Sequence, residues 1–275
     1  MIRIGVIKLG NIGSAPLIEF LLDERAERQD IDVRVVGAGA KMGEKQAAEA
    51  TENLLSFKPQ LAIFTTPNAS LAAPKKVIES LASSGIPSIV VSDAPAKKAT
   101  KEIEERGVGY LIVEGDAMIG ARREFLDPVE MAIFNSDIIK VLSITGAFNV
   151  IRDEIDGVIE ALKAGRAPAL PRLVIDTETS IAYSGLLNPY AKAKAMAAYE
   201  IAKKVADLNV RGCFAIKEMD RYVLTVASAH EMLGKAAQLA AEAREVEKSS
   251  DTLQRTPHYD DGKRLIKKRL LEKPE

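Results

Sequence analysis

Residues suited to chemistry gather first in the stretch IGVIKLGNIGSAP, Ile4 to Pro16. A strand-like run (Ile2, Ile4, Val6 and Ile7) leads into Lys8-Leu9-Gly10-Asn11-Ile12-Gly13, and a helical pattern begins near Ser14. A strand, a glycine turn and a helix start together make an anion-binding device. The glycines allow close backbone approach, and the unpaired amides of the first helical turn attract negative charge. The dinucleotide fingerprint has glycine where Lys8 stands, so this turn departs from it and adds a point charge at its lip. The second strand-like run ends in Gly37-Ala38-Gly39-Ala40-Lys41, without the carboxylate that holds NAD ribose hydroxyls. Lys41 leaves an NADP-linked reductase as an alternative.

Three further strand ends carry small, polar, turn-forming residues: Thr65-Thr66-Pro67-Asn68, Ser92-Asp93-Ala94-Pro95 and Glu114-Gly115-Asp116-Ala117. Ordinary loops use the same residues. Their recurrence along one sheet edge points to a binding cleft, because ligands of open α/β sheets sit beyond the carboxyl ends of the strands. The candidate binding residues are Lys8, Gly10, Asn11 and Gly13, then Thr66, Pro67, Asn68 and Asp93. Gly115, Asp116, Ala117 and Met118 complete the cleft. Arg122 is added either as a clamp for an anionic tail or as part of an ion-pair network with Glu124 and Asp127. His230, inside an alanine-rich helix, reads as a packed, hydrogen-bonded side chain rather than a catalyst. His258, in RTPHYDD, receives no role, and Cys213 is expected to be buried. No Gly-x-Ser-x-Gly elbow is present, so nothing favours an activated serine.

These residues need a scaffold. Strand-like runs at Ile2–Ile7, Val33–Val36, Leu61–Phe64, Ser88–Val91 and Tyr110–Val113 alternate with helical patterns. That succession predicts an α/β fold: an N-terminal Rossmann-like, mostly parallel sheet with helices on both faces. After it come helical runs near 128–145, 149–164, 190–208 and 219–248, with a strand-like Leu173-Val174-Ile175 between them. Asp127-Pro128-Val129-Glu130 is a strong helix start. The expected organisation is an α/β ligand-binding domain over 1–126, a helical bundle and oligomerisation region over 127–250, and a tail over 251–275. The tail is expected to pack on the fold or on a neighbouring subunit. Two alanine-rich stripes support close helix packing: Ala197, Ile201, Val205 and Leu208, and Val226, Leu233, Ala237 and Ala240.

Composition sets the outer bounds. Lys and Arg number 38 against 39 Asp and Glu, a net charge of −1, which argues against general nucleic-acid binding. A single cysteine excludes an internal disulfide and fits a reducing cytoplasm; with two histidines beside it, a clustered zinc site is not expected. No apolar run reaches the length of a membrane span, and a strand that begins by residue 2 leaves no room for a secretory signal.

Longer blocks carry a family resemblance. GNIGSAPLIEFLLDERAERQDIDVRVVGAGAKM, GDAMIGARREFLDPVEMAIFNSDIIKVL, NPYAKAKAMAAYEIAKKVAD, ASAHEMLGKAAQLAAEAREVEKS and RTPHYDDGK resemble the coenzyme F420-dependent methylenetetrahydromethanopterin dehydrogenases of methanogenic and related archaea. The resemblance covers essentially the whole chain. It implies reversible hydride transfer between methylenetetrahydromethanopterin and the deazaflavin F420 as co-substrate, in methanogenesis and one-carbon metabolism. It also implies no metal, no NAD(P) and no flavin, and a cytoplasmic homohexamer built as a trimer of dimers. A reaction of this kind needs two organic molecules held at near-attack distance, with no nucleophile, so no catalytic side chain is assigned. A non-catalytic ligand-binding or assembly module is the other alternative.

Overall fold

The computed structural model describes residues 1–275, the Arg25 side chain lying outside the described residues. The chain forms two compact units. The first comprises Met1–Val113, Ile151–Ile175 and Pro257–Leu265; the second comprises Glu114–Val150, Asp176–Thr256 and Ile266–Glu275.

The first unit is built on β1 (Ile2–Lys8), β2 (Ile31–Gly37), β3 (Leu61–Thr66), β4 (Ser88–Asp93), β5 (Gly109–Val113) and β6 (Arg172–Ile175). Helices α1 (Ser14–Leu22), α2 (Glu44–Ser56), α3 (Ala72–Ser83) and α4 (Thr100–Glu105) separate the first five strands. All neighbouring pairs are parallel, in the order β2-β1-β3-β4-β5-β6. Central strands β3 and β4, LAIFTT and SIVVSD, are buried at every position, as strands covered on both faces must be. Edge strand β2 is largely half-buried or exposed. Ile7, Phe64, Val90 and Ile112 form a core with Leu54, Val77, Ile78 and Leu81 of the helices. A Cβ on Gly5 would fall 2.5 Å from Leu54 Cδ1, so the glycine lets α2 settle onto the sheet.

The second unit is helical: α5 (Pro128–Thr145), the first turn of α6 (Ala147–Lys163), α7 (Thr177–Ala182), α8 (Pro189–Val210) and α9 (Met219–Ser249). A π-helical turn, Arg211–Ala215, follows α8. The start of α5 is as the sequence predicts: the Glu130 amide donates to Asp127 Oδ1 at 2.7 Å, and Pro128 occupies the first turn. Gly146, at φ +105°, ends it in the left-handed conformation that favours glycine. On α9 the expected stripe of Val226, Leu233, Ala237 and Ala240 is buried.

Three expectations differ from the structure. The 126/127 boundary does not coincide with the compact units, which part at 113/114, and residues 151–175 return to the first. The cause is β6, which pairs with β5 from Tyr110↔Arg172 to Val113↔Ile175 and extends the same sheet. On α8 the buried face is Ala191, Ala195, Ala198, Tyr199, Ala202, Val205, Ala206 and Asn209; Ala197 is exposed, and Ile201 and Leu208 are half-buried. Cys213, expected to be buried, is half-buried in the π-helical turn. Of residues 251–275, Pro257–Leu265 belongs to the first unit, where His258 is only 1% exposed, and the rest to the second.

Candidate functional site

The strand order reverses between β1 and β3, rather than between β1 and β4 as in a dinucleotide-binding sheet. A crevice is expected beyond the carboxyl ends of the strands at such a reversal. There the β1 loop, Lys8-Leu9-Gly10-Asn11, meets the β3 loop, Thr66-Pro67-Asn68. The Leu9 amide donates to Thr65 O at 3.0 Å, the Ala38 amide to Lys8 O at 3.0 Å, and the Gly10 amide to Gly39 O at 3.1 Å. Three strand ends are thus tied together by backbone.

Gly10 sits at φ +83°, and a Cβ there would lie 2.7 Å from Met42 Sδ and 2.8 Å from Pro67 Cδ. The close approach that requires glycine is therefore made by the chain itself. Gly13 differs: at φ −64°, ψ −30° it is right-handed and caps α1 without conformational need of glycine. Lys8 does not stand alone at the lip. Its Nζ lies 2.6 Å from Glu19 Oε1 on α1, and both side chains are half-buried. Asn11 is exposed beside them.

Thr66 is fully buried, and its Oγ1 has no hydrogen-bond partner among the described residues. Its carbonyl accepts from Ser92 Oγ at 2.7 Å, and Ser92 Oγ accepts from the Ala69 amide at 3.1 Å. Ser92, absent from the predicted site, stitches β4 to the β3 loop. Asn68 Oδ1 is turned into its own loop, accepting from the Ser70 amide at 3.0 Å and Ser70 Oγ at 2.6 Å. Asp93, 1% exposed, caps the turn at Ala94–Ala99 by accepting from the Ala94 amide at 2.5 Å.

The remaining predicted residues belong to the second unit. The segment after β5 is pinned from α8 and α9. The Gly115 amide donates to Tyr199 Oη at 3.2 Å, Asn209 Nδ2 to Met118 O at 2.8 Å, and the Gly120 amide to His230 Nε2 at 3.2 Å. Burial pushes the Tyr199 phenol far above its ordinary range, so the hydroxyl stays neutral. A Cβ on Gly115 would strike the Tyr199 ring at 2.6 Å. Asp116 and Ala117 are buried, and Met118 is half-buried.

Arg122 directs its hydrogen bonds at backbone, while its charge, behind the hydrogen bonds of Glu124's own amide and Tyr222, helps hold the Glu124 carboxyl below the usual range. Its Nε donates to Gly212 O at 2.8 Å and its Nη2 to Ile216 O at 3.1 Å, with the guanidinium 4.1 Å from the Tyr222 ring centre. The fork of donors clamps the π-helical turn. His230 is packed and hydrogen-bonded as expected, with Nδ1 2.6 Å from Glu130 Oε1. Among the described residues no group of three or more His, Cys, Asp or Glu side chains could hold a metal ion.

These features define a doubly wound α/β protein whose strand order reverses between β1 and β3, with a helical second unit. Comparison with known proteins then gives the family. Residues 2–275 match the family described as methylene-5,6,7,8-tetrahydromethanopterin dehydrogenase, and the chain belongs to it. The chain is 54% identical over 275 residues to the F420-dependent methylenetetrahydromethanopterin dehydrogenase of Methanothermobacter marburgensis, covering 100% of both chains. It is also 54% identical, again over 100% of both, to the enzyme of that name from Archaeoglobus fulgidus. Among solved structures it is similar to an F420-dependent methylene-tetrahydromethanopterin dehydrogenase in complex with methylene-tetrahydromethanopterin and coenzyme F420. That match has a TM-score of 0.97 and 48% identity and covers 100% of each chain.

Proposed function

We propose that this chain catalyses reversible hydride transfer between methylenetetrahydromethanopterin and coenzyme F420, giving methenyltetrahydromethanopterin and reduced F420. The observation that carries it is the end-to-end likeness to an enzyme solved with both molecules bound. F420 supplies the ring that accepts hydride; the chain binds, orients and excludes water. The crevice suits that work, with a buried hydroxyl at Thr66, a glycine-tight wall of Gly10 and Pro67, and amides at the start of α1. Mixing protein, F420 and the methylene carrier should bleach the deazaflavin absorbance, and NADP in place of F420 should give no nicotinamide reduction. Nicotinamide reduction alone would favour the NADP-linked reductase, and binding without turnover the non-catalytic module.

Lys8, Asn11, Gly13, Asn68, Asp93, Gly115–Met118 and Arg122 remain proposed site residues, with Arg122 and Asp93 acting through the backbone they hold. The Lys8–Glu19 pair sharpens a prediction. A half-buried pair at the protein surface is still screened by solvent and contributes about 0.2–1 kcal/mol to folding, so Lys8→Ala should change stability little. If Lys8 meets an anionic ligand, Glu19→Gln should tighten ligand binding at low salt and lose that advantage as salt rises. Equal affinities of wild type, Lys8→Ala and Glu19→Gln at all salt concentrations would leave Lys8 as lip surface.

We further propose a cytoplasmic homohexamer, a trimer of dimers. The exposed Phe20, Tyr190 and Leu224 side chains fit surfaces covered by further copies. Light scattering showing only monomer at micromolar concentration would refute this assembly. No single helix among the described residues is long and apolar enough to cross a membrane.

A further inference from the structure

We propose that His230, oriented by Glu130, is a positioning residue for the hydride transfer: it holds the Gly120 amide and thereby the shape of the turn from Gly115 to Met118. This rests on the reading that the turn contacts a substrate.

The segment after β5 is poor in regular structure and borrows its shape from side chains distant in sequence. Gly115 hangs from Tyr199, Met118 from Asn209 and Gly120 from His230. The last anchor is the one whose accepting atom depends on a tautomer. A backbone amide can only donate, so the Nε2 it meets must be bare. The imidazole proton then sits on Nδ1 and points at Glu130 Oε1, 2.6 Å away. Glu130 therefore selects the tautomer that lets His230 accept from Gly120, as a carboxylate behind a histidine commonly does.

The surroundings leave little alternative. His230 is 8% exposed, with the Phe125 ring edge-on at 4.8 Å and the Phe134 ring tilted at 4.4 Å between centres. Burial depresses the imidazole pKa and Glu130 opposes it, the net shift being downward, which keeps the ring neutral. A Cβ on Gly120 would lie 2.7 Å from Val226 Cβ and 3.1 Å from His230 Nε2, so only a bare backbone reaches this acceptor. His230 meets the segment through Gly120, and its role is positional, not acid–base.

The test compares His230→Phe, which keeps a flat ring but removes the acceptor, with His230→Gln, which restores one. Circular dichroism and thermal unfolding first establish that each variant is folded. In single-turnover F420 bleaching, His230→Phe should slow hydride transfer about ten- to a hundredfold, the scale of a small misplacement of reacting groups. KM should move far less, and His230→Gln should recover most of the rate. Met118→Ala, run alongside, tests the turn itself. Normal transfer in folded His230→Phe with an impaired Met118→Ala overturns the positioning role and leaves the turn in the site. Normal transfer in both overturns the reading of the turn as well. Should His230→Phe not fold, nitrogen shifts of histidine-labelled wild type decide: the Nδ1–H tautomer supports the proposal, and Nε2–H overturns it.

Discussion

Gly10→Ala should lower stability by about 2–5 kcal/mol and loosen the crevice at the same time. The figure joins two costs: about 1–2 kcal/mol for placing a side chain in the left-handed region and about 1–3 kcal/mol for overpacking. Both arise at the same atom, since Gly10 is at φ +83° and its Cβ would meet Met42 Sδ and the Pro67 ring. The thioether can move aside, whereas the proline ring is fixed to the β3 loop. Displacing Pro67 also shifts Thr66, whose buried hydroxyl faces no partner among the described residues. Affinity for at least one substrate should therefore fall even in protein that remains folded. Met42→Ala in the same chain should restore part of the stability, because it removes one of the two obstacles. Gly13→Ala is the control: its right-handed backbone accepts alanine without the left-handed penalty. Denaturant midpoints at fixed protein concentration measure the first effect and ligand titration the second. A Gly10→Ala midpoint equal to that of Gly13→Ala would sink the argument.

How far the chain can be read before its structure is known depends on whether the signal is local. The start of α5 is legible because Asp127, Pro128 and Glu130 carry the cap chemistry within four consecutive residues. The strand-end loops are legible because alternating strands and helices dictate a parallel sheet, and a parallel sheet has one carboxyl edge. What a strand pairs with is not local. Leu173-Val174-Ile175 reads as a strand, but nothing in those residues says that it joins β5. The face of α8 fails for another reason. Alanine recurs on several sides of that helix, so apolar periodicity is nearly flat, and the buried face is marked by Tyr199 and Asn209 instead. A search for apolar stripes passes over an asparagine. Arg122 and Gly10 repeat the lesson at the site. Their residue types were informative, but their partners, Gly212 and Ile216 for one and Met42 and Pro67 for the other, lie far along the chain.

His258 is the residue that sequence left without a role, and it should govern the alkaline limb of stability. Its Nδ1 lies 2.8 Å from Glu24 and its Nε2 2.9 Å from Asp156, so both ring nitrogens face carboxylates and the ring must carry two protons. Behind them Arg28 pairs with Asp30 at 2.8 Å and stands 3.9 Å from Asp156, while Lys163 reaches Asp30 at 3.3 Å. Four carboxylates, Glu24, Asp30, Asp156 and Glu160, the last 2.7 Å from Lys163, thus face Arg28, Lys163 and His258, and this acidic excess favours the charged histidine. Burial works against that charge, but Asp156 and Glu24 outweigh it and raise the pKa above the ordinary 6.5, with Arg28 in opposition. A raised pKa means that the folded state holds the proton more tightly than the unfolded chain. The contribution is complete below about pH 6.5 and is lost as pH climbs through the folded value. Asp30 behaves in the opposite sense: burial raises its pKa, Arg28 and Lys163 more than reverse that, and its contribution fades in acid. Removing the ring takes one charged donor from each of Glu24 and Asp156 while the His258 amide and Arg28 stay beside them, so His258→Ala should lower stability at neutral pH by less than the ~3–5 kcal/mol of a fully broken buried pair. His258→Gln keeps much of the volume and no charge; its unfolding midpoint should be nearly flat where wild type declines with rising pH. Midpoints recorded from neutral to mildly alkaline pH decide the matter, and parallel declines in wild type and His258→Gln would assign the alkaline limb to other groups.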